Sequence, residues 1–195
     1  MHLRLTLLVV ACLLAVCTIV SARTKRLHED DFQLTKPHTY IDATIEHTAV
    51  EIGQPMPFVV GAQNNYTFVH SSGVRLFYLY VPSAYTPTKN VSLVFAIHGL
   101  TDHAIPFAVG RTNMTTKAEA MNFIVLYPQG TTGYRGTGWN AGTCCVGQDV
   151  DDLGFITDLL ALIQQNFAIR TNSIHSMGFS NGTQTYLRGN TLRSL

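Results

Sequence analysis

The sequence predicts an α/β fold, a mainly parallel sheet with helices on both faces, and three observations carry that expectation. Val91–Ile97 is an apolar run of the kind found in a strand covered on both faces. Residues 113–122, with Ala118, Ala120 and Met121, read as a helix, and residues 123–127 as the next strand, closed by Pro128. Strand, helix, strand in that order implies a parallel crossover. Finally, residues 172–177 read as a short strand that turns directly into Gly178-Phe179-Ser180-Asn181-Gly182.

The chain has 195 residues, 46% hydrophobic and 13% charged. A single domain of that size buries roughly 70% of its extended surface and folds without a covalent staple, which excludes a disordered or collagen-like chain. Residues 5–20 are almost wholly apolar, preceded by Arg4 and followed by the small residues of Val20-Ser21-Ala22. This is the layout of a secretory signal peptide, residues 1–22 cut after Ala22, and the run is shorter than the roughly 18 to 20 residues of a membrane span. An uncleaved anchor or a buried N-terminal helix is the competing reading.

Losing the leader removes Arg4 and no acid, leaving 12 basic against 12 acidic side chains. That balance gives no electrostatic basis for a nucleic-acid partner, nor for an anionic membrane after signal cleavage. Cys12 and Cys17 leave with the leader, and the adjacent Cys144-Cys145 pair remains. Such a pair has no zinc-ligand spacing, and the two are free thiols or a strained vicinal disulfide. Sequons at Asn65, Asn90 and Asn113, read as lying in surface turns or element edges, agree with a glycosylated, extracellular product. A fourth, Asn181-Gly182-Thr183, falls at the serine turn and is expected to stay bare.

Residues 23–48 are polar and aperiodic and read as a loosely packed extension before a domain at 49–195. Arg23-Thr24-Lys25-Arg26 is either a processing site or a solvated basic patch. Residues 66–70 and 75–81 are strands of a hairpin around Ser71-Ser72-Gly73, ended by Pro82. Residues 129–147 form a long loop with six glycines and the sole tryptophan, Trp139. Loops of this length inside a compact domain tend to be functional. Asp151-Asp152 then open a helix over 153–167, where acids cap free amides and face the positive end of the dipole.

Gly178-Phe179-Ser180-Asn181-Gly182 fits G-x-S-x-G after a strand, the arrangement that lifts a serine hydroxyl onto the apex of a sharp turn. A glycine-rich turn without chemistry has the same pattern. His98-Gly99 ends an earlier buried strand, where a second oxyanion amide is needed. Asn181 N–H supplies one donor and Leu100 or Thr101 N–H the other, while His98 itself reads as a satisfied core histidine. Trp139 and Tyr134 either wall a substrate group or anchor the loop.

Ile97-His98-Gly99, Tyr127-Pro128-Gln129-Gly130, Gly138-Trp139-Asn140-Ala141-Gly142-Thr143-Cys144-Cys145, Asp151-Asp152-Leu153-Gly154-Phe155-Ile156 and the serine turn occur in order. Together, over about residues 66–187, they resemble the polyhydroxybutyrate depolymerase and feruloyl esterase-like family of secreted α/β-hydrolases. The resemblance implies that fold, Ser180 as nucleophile, and an ester substrate of feruloyl, acetyl or hydroxyalkanoate type, free or linked to a polymer such as plant cell wall. The acyl-serine ester hydrolysis it implies needs no metal and no organic cofactor. The resemblance also implies a bridge from Cys144 or Cys145 to a further cysteine. Two departures stand out. Thr183 replaces the family's second glycine and is expected to crowd the turn. The family's downstream Asp and His have no counterpart in residues 181–195, so the chain reads as a partial hydrolase lacking C-terminal strands and inactive as written. Asp102 and His103 offer a remote substitute. The competing classes are a secreted non-catalytic binding protein on the same fold and a serine peptidase.

Overall fold

The computed structural model describes residues 45–147 and 149–188. The leader, most of the extension and the tail after Arg188 lie outside the described residues. The strands are β1 (Thr48–Val50), β2 (Ala62–His70), β3 (Gly73–Val81), β4 (Val91–Ile97), β5 (Ile124–Pro128), β6 (Thr131–Gly133), β7 (Gly136–Gly138) and β8 (Ile169–Gly178). The helices are α1 (Met114–Met121), α2 (Asp152–Asn166) and α3 (Asn181–Arg188).

Six strands form one sheet in the order β1-β2-β3-β5-β4-β8, and β6 and β7 pair separately. The β2–β3 hairpin runs in register from Ala62↔Val81 to His70↔Gly73. Its loop is therefore Ser71-Ser72, and Gly73 takes the φ of +108° that closes it. β4 pairs in parallel with β5 on one side and β8 on the other, so the crossover through α1 is as expected. β3 joins β5 antiparallel, which makes the sheet mixed.

Strand alternation sorts the core into two layers. Phe77, Leu79, Leu93, Phe95, Ile97, Ile124 and Leu126 pack with Phe155, Leu159 and Ile163 of α2. Tyr78, Tyr80, Ala96, Val125 and Tyr127 pack on the other face with Ala118 of α1 and with Ala104, Ile105 and Phe107. Helices thus cover both faces, the α/β class read from the sequence.

Local patterns explain the differences. β8 begins at Ile169 rather than residue 172 because its pairing with β4 shifts register between Val91 and Leu93, and the polar residues 171–173 occupy the irregularity. The glycine-rich loop contains the β6–β7 hairpin, too poor in apolar residues to read as strands. Residues 104–112, with Pro106 inside, form a helical stretch ending in a π-helical turn, Phe107–Thr112. Thr48, placed at the end of the polar extension, already belongs to β1.

Candidate active site

The parallel strands β4, β5 and β8 end on one edge of the sheet, where ligands of open α/β folds gather. Ile97 and Gly178 are register partners at that edge. The chain leaves β8 through Phe179 and Ser180 and enters α3 at once. Ser180 is exposed and sits at φ +50°, a left-handed conformation costly for any residue but glycine and characteristic of functional strain. Phe179 N–H donates to Ile97 O at 3.0 Å, and Gly182 N–H to Phe179 O at 2.9 Å, which holds the apex.

Both glycines of the motif are required by contact. A Cβ on Gly182 would lie 2.4 Å from His98 O, and one on Gly178 would lie 2.6 Å from the Gly182 carbonyl. Gly99 is also tight, its Cβ position 3.0 Å from Phe179 Cδ1 and 3.3 Å from Ser180 Cβ. Thr183, expected to crowd the turn, instead fastens it, donating from Oγ1 to Gly178 O at 2.9 Å.

Of the three amides considered for an oxyanion, the structure separates one. Thr101 N–H donates to Thr137 O at 2.7 Å, so Thr101 is corrected: its donor is committed inside the protein. Asn181 opens α3, where first-turn amides lack intrahelical acceptors. Leu100 stands next to Gly99 and reaches toward Gly138, whose Cβ position lies 3.0 Å from Leu100 Cδ1.

His98 is fully buried between these segments, its Nδ1 donating to Gly99 O at 2.8 Å and its Nε2 accepting from Gly130 N–H at 3.0 Å. The network fixes the neutral tautomer, and burial pushes its pKa down to about 4. It is a core histidine, as expected. His103 is exposed and heads the helical stretch, its N–H on Asp102 Oδ1, and Asp102 pairs with Arg111 at 3.0 Å. Among the described residues, no histidine or carboxylate hydrogen-bonds Ser180 Oγ.

Trp139, one of the two wall candidates, is fully buried, and its indole N–H donates to His98 O at 2.8 Å. It anchors the loop and offers no face to a substrate, which corrects the wall reading. Tyr134 is 68% exposed; its hydroxyl donates to Thr143 O at 3.3 Å and accepts from Cys145 N–H at 3.2 Å, leaving the ring on the surface. Cys144 and Cys145 are joined as a vicinal disulfide. Phe179 is also exposed beside the serine.

Two groups went unread in the sequence. Asp152 does not simply cap α2; that role belongs to Asp151, which accepts from Gly154 N–H at 2.9 Å. Asp152 is buried, pairing with Arg75 at 2.6 Å and accepting Asn140 N–H at 2.6 Å. Burial raises its pKa against the pull of Arg75 and lowers that of Arg75 itself. Arg75 also lies 4.0 Å over the Phe155 ring. The Asn181 side chain, whose backbone amide alone was read as a donor, is the second: its Oδ1 accepts Trp139 N–H at 2.7 Å and its Nδ2 donates to Trp139 O at 3.1 Å. The Gly-Trp-Asn-Ala-Gly block and paired aspartates marked this loop in the sequence, but no local pattern marked Arg75, 77 positions from its partner.

Asn90 and Asn113 are exposed. Asn65 lies inside β2 rather than at an edge, half-buried opposite Tyr78, because the strand starts at Ala62. Among the described residues no helix is long and apolar enough to cross a membrane, and no group of three or more His, Cys, Asp or Glu is placed to hold a metal.

A serine turn between a parallel strand and a helix, on a sheet of this order, defines the α/β-hydrolase fold. Comparison with solved structures agrees: the acetyl xylan esterase of Aspergillus awamori superposes with a TM-score of 0.52 at 21% identity, over 68% of this chain and 46% of that one. The structure of native sOPH superposes with a TM-score of 0.53 at 16% identity, over 72% and 50%. In sequence the chain is similar to the bifunctional acetylxylan esterase/xylanase XynS20E of Neocallimastix patriciarum, 27% identical over 119 residues. That match covers 61% of this chain and 16% of the longer protein. The chain thus spans about half the length of these solved relatives and a smaller part of the curated one. No protein-family model matches it.

Proposed function

We propose that the chain is part of an exported serine esterase cleaving acetyl or feruloyl esters carried by a plant cell-wall polysaccharide. The observation that carries this reading is Ser180, exposed at a positive φ on a turn whose glycines admit no Cβ. A hydroxyl so presented attacks the ester carbonyl and forms an acyl-serine as the alcohol leaves; water then releases the acid. Asn181 and Leu100 N–H receive the oxyanion. Phe179, exposed next to Ser180, is suited to stacking on a sugar or aryl group, and Tyr134, exposed on the glycine-rich loop, is the second aromatic offered to the substrate. The acetyl preference rests on the names of the relatives, two of which are acetyl xylan esterases. The leader at 1–22 and the sequons at Asn65, Asn90 and Asn113 support export.

The described residues bring no histidine to Ser180, and that observation favours a second reading, a secreted binding protein on the same fold. Hydrolysis of acetylated xylan and methyl ferulate decides between them. A polypeptide extended by a downstream aspartate and histidine should release acetate, and Ser180→Ala should abolish that release. Equal release by the Ser180→Ala variant would remove Ser180 as the nucleophile, and no release by the extended polypeptide would overturn the esterase reading in favour of the binding protein.

A further inference from the structure

Residues 137–140 cross from one side of the site to the other and touch both segments that carry the oxyanion amides. Thr137 O takes Thr101 N–H at 2.7 Å, fixing the turn that follows Leu100. Gly138 is wedged between the two segments: a Cβ there would lie 2.9 Å from Asn181 Oδ1 and 3.0 Å from Leu100 Cδ1. Trp139 is gripped through both its N–H and C=O by the Asn181 side chain, and its indole holds His98 O. Asn140 N–H ties the far end to Asp152 Oδ2, itself locked to Arg75.

We infer that residues 137–140 are a spacer that sets the gap between Leu100 N–H and Asn181 N–H, with the Asn181 side chain as a positioning residue. The inference rests on the esterase reading, in which those two amides face a developing oxyanion. The physical reason is geometric. Two donors stabilise one oxyanion only when both lie about 3 Å from it, and a misplacement of about 1 Å forfeits up to about a hundredfold in rate. Neither strand end alone fixes that gap. The spacer does so with hydrogen bonds from consecutive peptide units and one position with no room for a methyl group.

The test uses the polypeptide extended by a downstream aspartate and histidine, with a fluorophosphonate probe whose phosphoryl oxygen needs the same two donors, and, on the 195-residue chain, the emission of Trp139, its sole tryptophan. Phosphonylation of Ser180 followed by mass spectrometry gives the maximal rate and the half-saturating probe concentration. Asn181→Ala should lower the maximal rate about tenfold or more at unchanged half-saturation and shift Trp139 emission to the red. Gly138→Ala keeps every hydrogen-bonding group and should lower the same rate, so it carries the test should Asn181→Ala not fold. Ser180→Ala should take no label and leave the emission where it was. Labelling of Ser180 at the wild-type rate in the folded variants overturns the spacer while sparing the nucleophile. An extended wild-type polypeptide that takes no label at Ser180 overturns the nucleophile reading and the spacer with it.

Discussion

Asp152 Oδ1 lies 2.6 Å from Arg75 Nη2, and each side chain retains 2% of its exposure. The pair ties the first hairpin to the start of α2, and the second carboxylate oxygen extends the tie to the Asn140 peptide. Removing one member strands the other as a buried, uncompensated charge, which typically costs about 3 to 5 kcal/mol. Asp152→Ala should therefore lower the unfolding free energy by about that amount in urea titrations. The double replacement Arg75→Met with Asp152→Leu should recover much of it, because an apolar pair needs no desolvation.

His98 sets a pH dependence of stability. Its pKa in the fold is about 4, lowered by burial, against about 6.5 in the unfolded chain. Between those values the unfolded state binds the extra proton, so stability is complete above the upper value and falls as pH drops toward the lower one. The loss amounts to about 3 kcal/mol. Urea midpoints measured across the window should fall with pH, and His98→Gln should flatten that part of the curve.

The elements that define the class were legible because their signals are local. An apolar run, a hairpin turn and a serine between glycines each lie within a dozen residues. The site's frame was not, because it depends on pairs distant in sequence. Arg75 with Asp152, and Trp139 with Asn181, come together only when the sheet has formed. Thr101 was misread for the same reason, since nothing near it in sequence shows that Thr137 O takes its amide. Trp139, an aromatic on a glycine-rich loop, fitted a wall and an anchor equally until its burial and its bond to His98 O decided the matter.

Gly182 and Gly110 make a matched pair of glycines. A methyl group on Gly182 meets the His98 carbonyl at 2.4 Å, whereas Gly110 has nothing within 4 Å and a φ open to any residue. Overpacking against backbone typically costs about 1 to 3 kcal/mol. Gly182→Ala should destabilise by at least that much and lower labelling of Ser180. Gly110→Ala should leave thermal stability and labelling unchanged or raise stability slightly, since alanine narrows the unfolded ensemble.

Three of the four sequons should divide according to whether the asparagine amide is free once the fold forms. Asn90 and Asn113 are exposed and should carry glycan on protein exported with its own leader. Asn181 is 6% exposed, and the nitrogen a glycan would occupy donates to Trp139 O at 3.1 Å while its oxygen holds Trp139 N–H. A sugar there would break both bonds and displace the loop from the serine turn. Asn181 should therefore stay bare, and glycopeptide mapping of secreted protein reads this directly. Occupancy at Asn181 would mean that the turn stays open long enough to be modified, and that the clamp between Trp139 and Asn181 is not the folded state of the exported chain.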